Sequence, residues 1–232
     1  MKYFFLLSIF ALSSTQVSAA ATDQVCTIDR DDSLLQIRVY KDGPLSALGD
    51  NHLITTREID GRFTLPDRSG NDGIIELSIP TRSLVVNDPT LRASAEEGFN
   101  SSVSEFNRRI TRKSMLGPKV LDAENFPLIT LAFLRFPSGN NRLAEVEVGL
   151  HGQSNVEAIP VTMIRTQDRL TATGQFFLSQ NRYGIKPFSI MFGGIRVKDK
   201  LRVDFRVSTI CTFSSNMSSR SGLDDDFSKQ AE

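Results

Sequence analysis

Two cysteines, Cys26 and Cys211, bracket nearly all of the patterned sequence, and they are the only two in 232 residues. Between them, apolar and polar residues alternate again and again, the mark of strands with one buried face. Leu35, Ile37 and Val39 alternate with Gln36, Arg38 and Tyr40. Ile75, Leu77 and Ile79 form a second such set, and Val146, Val148 and Leu150 a third. Val203, Phe205 and Val207 form a fourth, with Cys211 in phase. Less regular strands fit His52 to Leu65, Leu128 to Phe136, Val156 to Arg165 and Leu170 to Ser179. A sheet that begins near one cysteine and ends near the other closes by bringing its first and last strands together. A Cys26–Cys211 disulfide would then staple the seam. The alternative is two unrelated free thiols.

Turn chemistry punctuates these segments at Asp42-Gly43-Pro44, Asp67 to Gly73, Ser138 to Asn141, Gly152 to Asn155 and Gln167-Asp168. About eight strands result, joined mostly by short turns, which favours an antiparallel up-and-down barrel over parallel units with crossover helices. One long connection, Asn87 to Asn125, interrupts them between strands 3 and 4. Asp88-Pro89 starts a helix there, and Ser104 caps another around Phe106 to Leu116. Phe99, Val103, Phe106, Ile110 and Leu116 supply an apolar stripe to lay against the barrel. The segment is either a packing helix that plugs one end or a mobile lid.

The ends of the chain bear on where it works. Residues 1–21 have the organisation of a secretory signal: Lys2, an apolar stretch from Tyr3 to Leu12, then small residues around Val17-Ser18-Ala19. That stretch is too short to span a bilayer, and no second run approaches the roughly 18 apolar residues that a transmembrane segment needs. Export to a periplasmic or secreted location follows, and an oxidising compartment preserves disulfides. Residues 22–213 then form one domain, and residues 214–232 read as a disordered tail rich in Ser, Asp and Asn. Lys plus Arg equals Asp plus Glu at 27 each, and loss of Lys2 with the leader leaves a single net negative charge. That balance argues against nucleic acid as a partner and gives no support for an anionic membrane.

Catalytic signatures are missing from the sequence. It has no Gly-x-Ser-x-Gly elbow, Gly193-Gly194 lacks the strand–loop–helix setting of a phosphate loop, and neither histidine has a nucleophile partner. The expectation is no enzyme, no metal site and no cofactor. His52 and His151 are the only histidines. Asp50 and His52 share a strand face at i, i+2, so a carboxylate-oriented imidazole at the barrel mouth is one reading. A structural histidine is the other. Arg182, Lys186 and Lys198 either meet an anionic head group or stay as solvated rim charges.

Several segments resemble the YceI-like family of exported lipocalin-like proteins. They are Ser46 to His52 leading into Ile59 to Phe63, then Ile79 to Leu84, Met115 to Pro127, Gly149 to Gly152, and Phe188 to Asp199. The resemblance spans Cys26 to Cys211. It implies an all-β, eight-stranded antiparallel lipocalin-like barrel and a long isoprenoid-type ligand, a polyisoprenoid or a quinone, in its tunnel. Asp50 stands where many members carry a histidine, so a role resting on two histidines there does not transfer. The inward sets place Leu35, Ile37, Val39, Ile75, Leu77, Val148, Leu150, Met163, Phe176, Leu178 and Phe205 against such a ligand, with His52 near its head group. Sixteen Phe, three Tyr and no Trp suit a dry lumen. The competing expectation is a barrel filled by its own side chains. The redox alternative is an accessory protein of a quinone or cytochrome system in which His52 faces a haem or metal, with a membrane or cytochrome as donor or acceptor.

Overall fold

The computed structural model describes residues 24–64, 74–137, 142–166 and 168–213. The expected signal peptide, the tail, and the turns at Asp67 to Gly73 and Ser138 to Asn141 lie outside the described residues. The compact unit runs from Gln24 to Thr212.

Eight strand positions form a closed antiparallel ring. β1 comprises Gln24–Ile28 and Leu34–Val39; β2 comprises His52–Thr56 and Asp60–Thr64; β3 comprises Ile75–Pro80 and Val85–Val86. β4 is Leu128–Arg135, β5 Leu143–Leu150, β6 Gln153–Arg165, β7 Arg169–Ser179 and β8 Lys200–Phe213. Each pairs with its neighbour in sequence and β8 returns to β1, which closes the ring; Val85–Val86 of β3 is bonded on one side alone, to β2. The seam holds Val203 opposite Ile37 and Phe205 opposite Leu35. Near its far end Cys26 and Cys211 form the disulfide, buried with Phe63 and Leu170.

The first three strands are each broken, and each break changes which residues face inward. His52 and Ile54 line the interior before the break in β2, whereas Ile59 and Phe63 line it after. The inward set passes from even to odd numbers across Arg57-Glu58, as an extra residue in one strand requires. A single strand from His52 to Leu65 is therefore corrected to two. Arg57 fixes the bend by donating from Nη1 to the carbonyls of Asp31 and Ser33 at 2.8 and 2.9 Å. The matching break in β1 is tied down by Arg169, which donates to Asp29 at 2.7 Å and to Ser208 Oγ at 3.2 Å. The β5–β6 turn is also tighter than expected: His151-Gly152 makes it, and Gln153 to Asn155 already belong to β6.

The long connection lies between β3 and β4 and contains α1, Pro89–Ala93, and α2, Glu105–Leu116. Asp88 caps α1 by accepting from the backbone N–H of Thr90 and Leu91, both at 3.0 Å, with Pro89 at the first helical position. Ser104 caps α2 by accepting from Asn107 N–H. The expected apolar stripe does not form as one unit. Phe99 packs on the outer wall instead, edge-to-face with Tyr40 and under the Arg38 guanidinium. Arg38 also joins Glu96 and Asp204 at 3.1 and 2.5 Å, which clamps the connection to β1 and β8. Val103 is buried and Leu116 packs against the core beside buried Met115, but Phe106 and Ile110 are exposed. The reason lies in what stands opposite: α2 crosses an open barrel end, so its central turn meets no packed surface.

Linking residues 185 apart in sequence removes much unfolded-chain entropy, so Cys26→Ser with Cys211→Ser is expected to cost about 2–5 kcal/mol. Urea unfolding of the double variant against the oxidised wild type measures this, and equal midpoints would show the seam to be held by strand pairing alone.

Candidate functional site

The inward rows do not fill the ring. They surround a cavity of about 660 Å³ that runs the length of the barrel, within the size range of pockets that take small molecules. All of Leu35, Ile37, Val39, Ile75, Leu77, Val148, Leu150, Met163, Phe176, Leu178 and Phe205 line it, together with His52. Met163 stands at the disulfide end and is partly exposed. Sequence reasoning left out an equal share of the wall. Ile129, Leu131 and Phe133 of β4 line it, as do Ala144 of β5 and Ile159 and Val161 of β6. The same alternation marks those positions in β4 and β6, but outward apolar neighbours such as Leu134 and Ile164 blur it.

Small residues keep the lumen open where β7 meets β8. Gly174 pairs with Phe205, and a Cβ there would stand 2.6 Å from the Phe205 ring and 2.2 Å from the Pro160 carbonyl oxygen. Ala172 precedes it on the same wall. The Phe205 ring therefore lies flat across a strand that offers no side chain to push it inward.

Polar groups collect at one end. Lys41, Asp50, His52, Asn107, Thr111, Ser114, Gln180 and Arg196 line the cavity where α2 and the connections 41–51 and 180–199 gather. Several are already satisfied. Lys41 Nζ donates to Gly49 O at 2.8 Å, Gln180 Nε2 to Lys198 O at 2.9 Å, and Arg196 pairs with Asp42 at 2.8 Å.

His52 is held from outside the lumen. Asn87 is fully buried, and its Oδ1 accepts from Leu53 N–H and from Arg92, each at 2.9 Å. Those bonds turn its amide nitrogen toward His52 Nδ1, 3.0 Å away. Nδ1 is thus the acceptor, and the ring proton sits on Nε2. Burial holds the imidazole below its ordinary pKa of 6.5; Arg92 adds to that effect and Asp50 opposes it. A neutral ring with Nε2–H as donor is the resting state at neutral pH. The expected orientation by Asp50 is corrected: Asp50 acts through its charge, and Asn87 makes the hydrogen bond. No periodicity joins positions 35 apart, so this partner was invisible in the sequence.

His151 is structural. It sits in the β5–β6 turn with φ 53°, contacts Phe126 edge-to-face, and donates from Nδ1 to Tyr183 O at 3.1 Å. Arg182 is taken as well: Nη1 reaches both Glu157 carboxylate oxygens at 2.7 and 2.8 Å, and Tyr183 Oη donates to Glu157 at 2.9 Å. Burial, and then this carboxylate, raise the Tyr183 phenol far above its ordinary pKa. Arg182 is therefore withdrawn from any head-group role. Among the described residues, no group of three or more His, Cys, Asp or Glu side chains is placed to hold a metal ion.

The depressed His52 pKa makes stability pH-dependent with a definite sign. The unfolded chain takes up this proton before the folded one does, so stability is intact above about pH 6.5 and falls as pH drops from there toward the folded value. His52→Gln is expected to flatten the loss of thermal midpoint between about pH 7 and 5. Equal slopes for the two proteins would show that the ring is not held neutral.

Similarity to known proteins agrees with this architecture. The crystal structure of Burkholderia cenocepacia BcnA superposes with TM-score 0.53 at 11% identity, over 78% of this chain and 98% of that one. A Saccharophagus degradans structure, described as a polyisoprenoid-binding domain implicated in plant cell wall breakdown, superposes with TM-score 0.54 at 11% identity. It covers 81% of this chain and 98% of its own. No curated protein sequence matches. The family model for the YceI-like domain matches residues 27–209, and the chain belongs to that family.

Proposed function

We propose that the protein is an exported carrier that holds the tail of a long isoprenoid or similar amphiphilic lipid in the barrel lumen. One observation carries this reading: a cavity walled along the strands by aliphatic and Phe side chains gathers its charged groups and its imidazole at the end beneath α2. An amphiphile has the same division. Its tail meets a wall with few unpaired polar atoms, and its head group meets His52 Nε2–H and the hydroxyls of Thr111 and Ser114. The Saccharophagus relative, described as polyisoprenoid-binding, supports the choice of tail. At about 0.8 kcal/mol per buried CH₂, some ten isoprenoid carbons would offset the cost of association.

Export rests on the leader-like residues 1–21 and agrees with the disulfide, since oxidising compartments preserve such bonds. Among the described residues no helix is long and apolar enough to cross a membrane. A periplasmic or secreted location follows. A quinone suits the same site, because its ring carbonyl can accept from a neutral His52. Absorbance of the isolated protein between the ultraviolet and the visible distinguishes a quinone from a saturated-head polyprenyl lipid.

Mass spectrometry of organic extracts from the protein purified from its native compartment is expected to show an isoprenoid-type lipid. Phe176→Glu places a charge in the dry wall and is expected to abolish lipid co-purification while the barrel still folds. Affinity for a polyprenyl series should rise with each added unit until the lumen is full, then level off. A folded Phe176→Glu that keeps its lipid, or affinity independent of chain length, would refute the tunnel as the binding site.

A further inference from the structure

The rim of the cavity is more apolar than a water-facing rim needs to be. Leu48, Ile110 and Ile190 line the lumen and yet stand 74%, 48% and 45% exposed. They come from three segments: the 41–51 connection, the middle of α2 and the 188–197 connection. Two of these are joined, since Leu45 N–H donates to Gly194 O at 2.8 Å and Ile195 Cγ2 packs against Gly49. Beside Ile190 the chain carries Met191 and Phe192 still further out, and Phe192 is wholly exposed. Phe106, one turn before Ile110 on α2, is exposed as well. Single exposed apolar side chains are ordinary, whereas a continuous set around an opening marks an interaction surface.

Backbone geometry strengthens the point. Met191 and Phe192 both have φ near 50° (52° and 53°), a region that bulky residues avoid at a cost. Gly193 follows at φ 90° with open space around it. The strain lifts two large apolar side chains clear of the barrel, where they contribute nothing to its core.

Charge on the same end points to the occupant. Arg82, Arg109, Arg112 and Lys113 converge on a shallow depression beside α2 whose carboxylates are Asp122 and Glu124. Arg109 lies over the Phe106 ring, so the basic flank of the helix adjoins its apolar one. Along α2 itself cations outnumber acids: Arg108, Arg109, Arg112 and Lys113 stand against Glu105 alone; at the rim Asp42 is neutralised by Arg196, leaving Asp50 inside the mouth. A balanced total charge thus conceals a basic, apolar face. Helices with basic residues on one side and Phe or Ile on the other lie in the plane of anionic membrane interfaces.

We propose that the α2 end of the barrel docks on an anionic lipid bilayer, with Phe192 and Met191 inserted among the lipids and the basic flank of α2 on their head groups. The apolar rim then joins the acyl layer to the lumen without a water gap. That use of docking, as a loading step, rests on the carrier reading; the docking itself does not. A protein receptor would cover the same face but would not call for an apolar path between the rim and a tail-sized lumen.

The test is co-sedimentation of the full exported chain with vesicles of phosphatidylcholine mixed with phosphatidylglycerol, and of phosphatidylcholine alone. Wild type is expected to bind the anionic vesicles and to be released by salt. Phe192→Ser with Met191→Ser should weaken binding by roughly tenfold or more. Arg109→Gln with Lys113→Gln should remove the preference for phosphatidylglycerol. Farnesol binding, read in solution on the same proteins, reports the lumen separately and should be unchanged in both variants. Wild type that ignores both vesicle types, or variants that bind as wild type does, would overturn the docking proposal and leave a protein partner as the cover for this face. Vesicle binding without farnesol binding would instead uphold docking and sink the carrier reading.

Discussion

The pairing of the first strand with the last decides everything else in this protein. Once β8 is paired to β1, every second side chain of every strand points into one enclosed volume. Eight strands are near the size at which side chains alone can fill that volume. Here they do not, because β7 offers Ala172 and Gly174 on its inward face and the Phe205 ring lies against the wall. The disulfide fixes the seam at one end, and the Arg38 clamp to Asp204 and Glu96 fixes it at the other. A lumen held from both ends can stay open without collapsing.

The two ends of the barrel have different chemistry, and the difference comes from the strand breaks and the insertion. At the disulfide end the wall is apolar apart from Thr209, whose hydroxyl is bonded to Leu170 O. At the other end Val85–Val86 pairs with β2 alone, and α2 with the connections 41–51 and 180–199 covers the gap incompletely. The charged side chains and His52 gather there. Lys41 and Gln180 are bonded to backbone carbonyls and Arg196 to Asp42, while His52 is locked by Asn87 with its Nε2–H still free to donate. In the proposed carrier these neutral donors, His52 Nε2–H with the Thr111 and Ser114 hydroxyls, would orient a head group without a new charge in the cavity.

Much of this was legible from residue order. Strict alternation in β1, β3, β5 and β8 identified inward residues correctly, because a period of two leaves no freedom once one face is buried. Asp88-Pro89 and Ser104 marked helix starts because caps act within three residues. The rest depended on distant partners. Arg57 bends β2 by bonding to carbonyls of Asp31 and Ser33, so the phase change at Ile59 has no local signal. Asn87 reaches His52 across the sheet. Phe106 and Ile110 have the spacing of a buried helix face, yet spacing says nothing of what stands opposite, and opposite them is an opening. Net charge near zero likewise hid the cluster of Arg and Lys along α2.

The central claim is that a hydrocarbon tail occupies the lumen, and methyl NMR with a bound polyprenyl alcohol examines it most directly. Cross-relaxation between the ligand chain and the methyls of Leu131, Val146 and Val161, deep on three different strands, is the predicted result. Contacts confined to rim residues such as Leu48 and Ile190, or none at all, would contradict it.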